Sequence, residues 1–109
     1  IHHLSPEDKR LLFERIYSAL NPGGIFVNAD QADGETPYFK KRYLDYWNDF
    51  LKNGPMTKEQ HAEILKRRDT LDRNDKLSDQ LSWLAKAGFS DVDVVYKNRT
   101  FIVTVARKE

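Results

Sequence analysis

The sequence has no cysteine. Disulfides, thiolate nucleophiles and cysteine-ligated metals are therefore excluded, and a reducing, cytoplasmic compartment is expected. It also has no G-x-G. Of its five glycines, only Gly23 and Gly24 are adjacent, and they stand where a helix should end. A glycine-rich cradle for a dinucleotide or phosphate is thus missing. No apolar run approaches the roughly 20 residues of a membrane span, and no signal-peptide pattern is visible. Neither sign of charge dominates: 18 basic and 17 acidic residues leave a formal net charge of +1. That balance gives no electrostatic case for nucleic acid or an anionic membrane as an obligatory partner. The "NRT" at Asn98–Thr100 matches a glycosylation sequon but reads here as a plain turn.

What is present suits one domain, or part of one, of 109 residues. In "SPEDKRLLFERIYSALNPGG", Ser5 is an N-cap, Pro6 occupies the first helical position, and Glu7 and Asp8 favour the positive helix end. Leu11, Leu12, Ile16, Ala19 and Leu20 recur at helical spacing, and the glycine pair after Pro22 ends the pattern. "IFVNA" (Ile25–Ala29) reads as a short strand, apolar on both faces and so covered on both sides. "DQADGETP" reads as a loop. From Tyr38 to Lys52 the pattern is helical and aromatic, with Phe39, Tyr43, Tyr46, Trp47 and Phe50 near one face. A charged helix is predicted from Thr57 to Leu71, with Thr57 and Gln60 as a capping box. A further helix carries Leu77, Leu81, Leu84 and Ala85 and ends at Gly88. "DVDVVY" and "TFIVTVA" then form a hairpin about "KNR". This order is α/β.

"HHL" followed by "SPEDKRLLFERIYSALNPGGIFVNAD" resembles the fourth-strand end, helix and fifth strand of class I S-adenosylmethionine-dependent methyltransferases. "QLSWLAKAGFSDVDVVYKNRTFIVTVARK" resembles their closing helix and final hairpin. The resemblance implies the C-terminal part of a Rossmann-like methyltransferase sheet, with one parallel strand, a terminal β-hairpin and a helical lid insertion. Residues 1–36 would supply the end of the fourth strand, the helix and the fifth strand. Residues 37–76 would form the lid, and 77–109 the closing helix and hairpin. The family's Gly-rich cofactor loop and its ribose-binding acidic residue precede this region and are absent. The chain alone is therefore expected to be inactive, its partner being the N-terminal half of its own domain. An unpaired edge on Ile25–Ala29 predicts self-association.

Under this resemblance His2 and His3 border the S-adenosylmethionine, with a capping histidine or an expression-tag remnant as the plainer readings. In an open α/β sheet, ligands lie beyond the carboxyl ends of the strands, which places Asn28 and Asp30 toward an acceptor. The same pair also reads as the start of a solvated loop. Tyr43 and Trp47 would enclose a small-molecule or RNA acceptor, or serve as ordinary helix packing. "KRRDTL" resembles the methyltransferase-like enzymes of tRNA wobble-uridine modification, in which an arginine meets a carboxylated cofactor. Arg68 is the matching position, and the plainer reading of Lys66–Arg68 is a solvated face. A metal site from His2, His3, Asp30, Asp33 and Glu35 lacks recognisable ligand spacing. A non-catalytic α/β binding module, using the aromatic helix as its interface, stays open at this point.

Overall fold

The structure is a computed structural model and describes residues 1, 3–53, 57–60, 62–63 and 74–109. Its elements are α1 (Pro6–Ala19), β1 (Ile25–Gln31), α2 (Pro37–Lys52), α3 (Leu77–Ala87), β2 (Asp91–Asn98) and β3 (Phe101–Arg107). The three strands form one sheet in the order β1-β3-β2, with both neighbouring pairs antiparallel. The last strand thus lies between the hairpin partner and β1.

Helix α1 starts as its sequence dictates, with the Ser5 hydroxyl accepting from the Asp8 amide at 3.2 Å. Its carboxyl end has no basic residue of its own. The cation arrives from the far end of the chain. Lys108 Nζ donates to the carbonyls of Tyr17 (2.9 Å) and Leu20 (2.8 Å), satisfying acceptors that a helix end leaves open. Backbone bonds from Gly23 to the Lys108 carbonyl and from Lys108 to the Gly24 carbonyl close the same corner. Gly23 makes this turn at φ 84°, where a side chain would be strained.

The core lies between α1, α3 and one face of the sheet. Phe13, Leu84, Phe89 and Ala106 are buried together, with Ile16, Tyr17, Leu20, Phe26 and Val92 packed around them. Tyr17 meets Phe89 edge-on at 5.2 Å between ring centroids, and Phe26 stacks on Phe89 at 6.3 Å.

The helical stripes differ from the sequence expectation. On α1 the buried residues are Lys9 and Phe13, while Leu11 is half exposed and Ala19 faces solvent. On α3 they are Gln80 and Leu84, with Ala85 exposed. In both helices a polar residue four positions before the core apolar one shares its face, because partners for that polar group exist only in the folded chain.

Strand β1 also runs two residues beyond the predicted Ala29. Asp30 pairs with Ile102 and Gln31 with Phe101, so backbone pairing to β3 overrides the polar side chains. Its two faces are unlike. Phe26, Asn28 and Asp30 point inward, whereas Ile25 and Val27 are 57% and 59% exposed. The expected covering on both sides is therefore found on one side only among the described residues.

The hairpin is tighter than expected. Asn98 pairs with Phe101, leaving Arg99 and Thr100 as a two-residue turn, and Arg99 adopts a left-handed φ of 55°. A bulge at Val95 shifts the register between Val94 and Tyr96. The predicted capping box is present: Thr57 N donates to Gln60 Oε1 (3.2 Å) and Gln60 N to Thr57 Oγ1 (3.1 Å). The rest of the predicted Thr57–Leu71 helix is largely outside the described residues. No helix among them is long and apolar enough to cross a membrane.

Candidate functional site at the carboxyl end of β1

The inward face of the sheet changes character along β1. At its start, Phe26 lies opposite Ala106. Next, Asn28 lies opposite Thr104, and last, Asp30 opposite Ile102. Asn28, Asp30 and Thr104 are all buried, at 7%, 8% and 2% exposure. Buried polar groups require partners, so this end of the sheet adds polar side chains beside the buried Ile102 and Ala32.

Three segments converge there. Lys9 of α1, only 1% exposed, reaches Asp75 at 2.5 Å. The Asp75 carbonyl accepts from the Asp33 amide (2.9 Å) and from Gln80 Nε2 (2.9 Å). Gln80 Nε2 also reaches the Gln31 carbonyl at 3.3 Å, and Asn74 Nδ2 the Gln31 Oε1 at 3.4 Å. Together these bonds fix the exit of β1 against the entry to α3.

Glu35 completes the junction. Lys76, the N-cap of α3, makes no side-chain capping bond. The Glu35 carboxylate instead accepts from the Ser78 amide (3.3 Å), capping the helix from a distant loop. Its hydrogen bonding to Ser78 holds its pKa below the ordinary carboxylate value.

The sequence-predicted residues fall into three groups. Asn28 and Asp30 share one buried face, and the amino terminus of Ile1 lies 3.8 Å from Asp30 Oδ2. His3 is exposed, in a turn. Tyr43 and Trp47 sit half-buried on α2. Tyr43 accepts from Lys97 Nζ at 3.1 Å, and Trp47 stacks on Phe50 at 5.8 Å. His2 and Arg68 lie outside the described residues. Among those described, no group of three or more His, Cys, Asp or Glu is arranged to hold a metal ion.

Sequence reasoning missed Lys9, Asp75, Gln80, Lys97 and Arg99. For Lys9 and Gln80 a signal existed: each stands four residues before a core residue, Phe13 and Leu84, on the same helical face. Asp75, Lys97 and Arg99 carry no such local mark, because their partners are remote in sequence.

No protein-family model matches the chain. Among curated proteins it is similar to the carboxy-S-adenosyl-L-methionine synthase of Vibrio parahaemolyticus, 31% identical over 100 residues. It is also similar to that of Chromohalobacter salexigens, 30% identical over 116 residues. These alignments take in 89% and 100% of the chain but 40% of each relative, so the chain spans less than half their length. Among solved structures it superposes on the S-adenosylmethionine-dependent methyltransferase SibL with a TM-score of 0.62. That match has 22% identity and covers 99% of this chain and 28% of SibL. A Nostoc punctiforme protein assigned to the O-methyltransferases superposes with a TM-score of 0.59 at 21% identity, covering 98% of this chain and 29% of its own. At such identities the structural likeness is one of fold. By sequence the chain is similar to part of the carboxy-S-adenosyl-L-methionine synthases, and its fold is that of part of the S-adenosylmethionine-dependent methyltransferases.

Proposed function

We propose that the intact protein binds S-adenosylmethionine and transfers its methyl group to a small-molecule or RNA acceptor, with this chain forming one flank of the site. The observation that supports this reading is the buried polar face of β1, Asn28 and Asp30, at the carboxyl end of a strand in a methyltransferase-type sheet. When bound, the cofactor would supply a sulfonium methyl group that is already activated toward an acceptor nucleophile. What remains for the protein is positioning and exclusion of water.

In this reading the buried Asn28 and Asp30 orient polar groups at the site. The His2–His3 segment borders the cofactor, and α2 with Tyr43 and Trp47 closes over the acceptor. The residues of this chain do not include a glycine-rich cradle, so the upstream part of the domain would supply most of the cofactor contacts. Calorimetric titration with S-adenosylmethionine tests this. A longer protein carrying the upstream strand and Gly-rich turn should bind, and this chain alone should not. Failure of the longer protein to bind would leave the non-catalytic binding module as the better reading.

A second reading is favoured by the names of the sequence relatives, carboxy-S-adenosyl-L-methionine synthases. Here the intact protein makes a carboxylated form of the cofactor, with Arg68 facing the added carboxylate. Mass spectrometry of the nucleoside recovered from the purified intact protein separates the two. A species heavier than S-adenosylmethionine by a carboxyl group favours synthesis; the demethylated thioether favours methyl transfer.

A further inference from the structure

Helix α2 meets the tip of the β2–β3 hairpin through two cation–aromatic contacts. The Arg99 guanidinium lies 3.5 Å from the centroid of the Tyr46 ring, and Lys97 Nζ lies 4.7 Å from that of Tyr43. Tyr43 and Tyr46 are three residues apart and so share one helical face. The turn is built to present both cations. Arg99 Nη1 donates to Asn98 Oδ1 at 3.0 Å, orienting the guanidinium. Lys97 Nζ donates both to the Arg99 carbonyl (2.7 Å) and to Tyr43 Oη (3.1 Å), so one ammonium joins the turn backbone to the helix. A left-handed arginine, uncommon for a residue with a Cβ, fixes where that side chain leaves the turn. The next residue then passes the geometry on. The Thr100 carbonyl accepts from the Ala32 amide at 2.8 Å, at the exit of β1. A cleft of about 320 Å³, lined by Phe39, Arg42, Tyr43, Tyr46 and Arg99 among others, leaves the contact partly open.

We propose that the hairpin tip is a clasp for α2. Lys97 and Arg99 act as positioning residues that set where the aromatic face of the helix, and Tyr43 with it, stands relative to the carboxyl end of β1. The consequence for acceptor binding rests on the methyl-transfer reading. The clasp itself does not, and it is tested without any ligand.

The experiment is native-state hydrogen exchange with mass spectrometry on the chain and its variants. Arg99→Asn keeps a residue tolerant of the left-handed turn and removes the guanidinium. Lys97→Met keeps the stem and removes the ammonium. Each should raise exchange of α2 amides by about three- to tenfold, with β3 unchanged. Unchanged exchange in α2 for both variants would overturn the proposal. Should either variant loosen the sheet as well, Tyr46→Phe and Tyr46→Ala decide on an exposed helix face. Wild-type exchange in the first and faster exchange in the second supports the clasp, and equal exchange in both overturns it.

Discussion

Lys9, all but invisible to solvent, ends on Asp75, a residue 66 positions away at the entry to α3. The pair joins the first helix of the chain to the loop that fixes β1's exit. The two partners are unequal, because Lys9 is 1% exposed on its side chain and Asp75 20%.

That inequality sets the first prediction. Asp75→Ala removes a counter-charge from a buried ammonium and should cost about 2–3 kcal/mol. Lys9→Met replaces the buried cation with an apolar chain of similar length and should cost about 1 kcal/mol or less. Urea denaturation of both variants checks the order. A larger loss for Lys9→Met would show that the ammonium holds interactions beyond Asp75, and would overturn this order.

Gly88 ends α3 at φ 124°, and a Cβ there would lie 2.7 Å from Tyr17 Cζ. Tyr17 is itself held edge-on against Phe89 and under Lys108, so it has little room to move aside. Gly88→Ala should therefore destabilise by about 1–3 kcal/mol, through backbone strain and overpacking together. Thermal unfolding followed by circular dichroism reads this directly.

Glu35 gives a pH dependence. Its pKa is lowered in the folded chain, chiefly by hydrogen bonding to Ser78. The stability it contributes is therefore present above the ordinary carboxylate range and lost as pH falls through the lowered value. Glu35→Gln should be less stable than the parent chain at neutral pH, the difference shrinking as the pH falls through the lowered value. Chemical denaturation of both proteins across that range tests the difference, which cancels the titration of every other carboxylate.

The outward face of β1 gives a fourth. Ile25 and Val27 are more than half exposed on the outward face of β1. The 55%-exposed Phe101 lies on that face at the far end of the strand pair, and among the described residues β3 pairs with only one edge of β1. An apolar face with an open strand edge favours association. Sedimentation velocity should show the chain self-associating, and Val27→Lys should shift it toward monomer. A monodisperse monomer of the unaltered chain would count against this.

Much of the local structure was legible because it depends on neighbours in sequence. Ser5 caps α1, Gly88 ends α3, and Thr57 and Gln60 form their capping box, since each uses backbone groups within one helical turn. The hairpin and the aromatic helix followed from periodicity. The extent of β1 was less legible. Asp30 and Gln31 do not look like strand residues, and they extend only because β3 offers them backbone partners.

The sequence by itself determined the element order, the turn and cap positions, the lack of a glycine-rich cradle in this chain and the polar exit of β1. These are properties of short-range spacing and composition. Only the tertiary structure decided that Lys9 meets Asp75 and Gln80 the carbonyls of Gln31 and Asp75, that Lys108 closes α1, that Glu35 caps α3 and that Lys97 and Arg99 meet Tyr43 and Tyr46. Each of these pairs a charge or amide with a group brought near only when the chain folds. A buried polar side chain is stable where such a partner waits, and the identity of that partner is written in the contact, not in the local pattern.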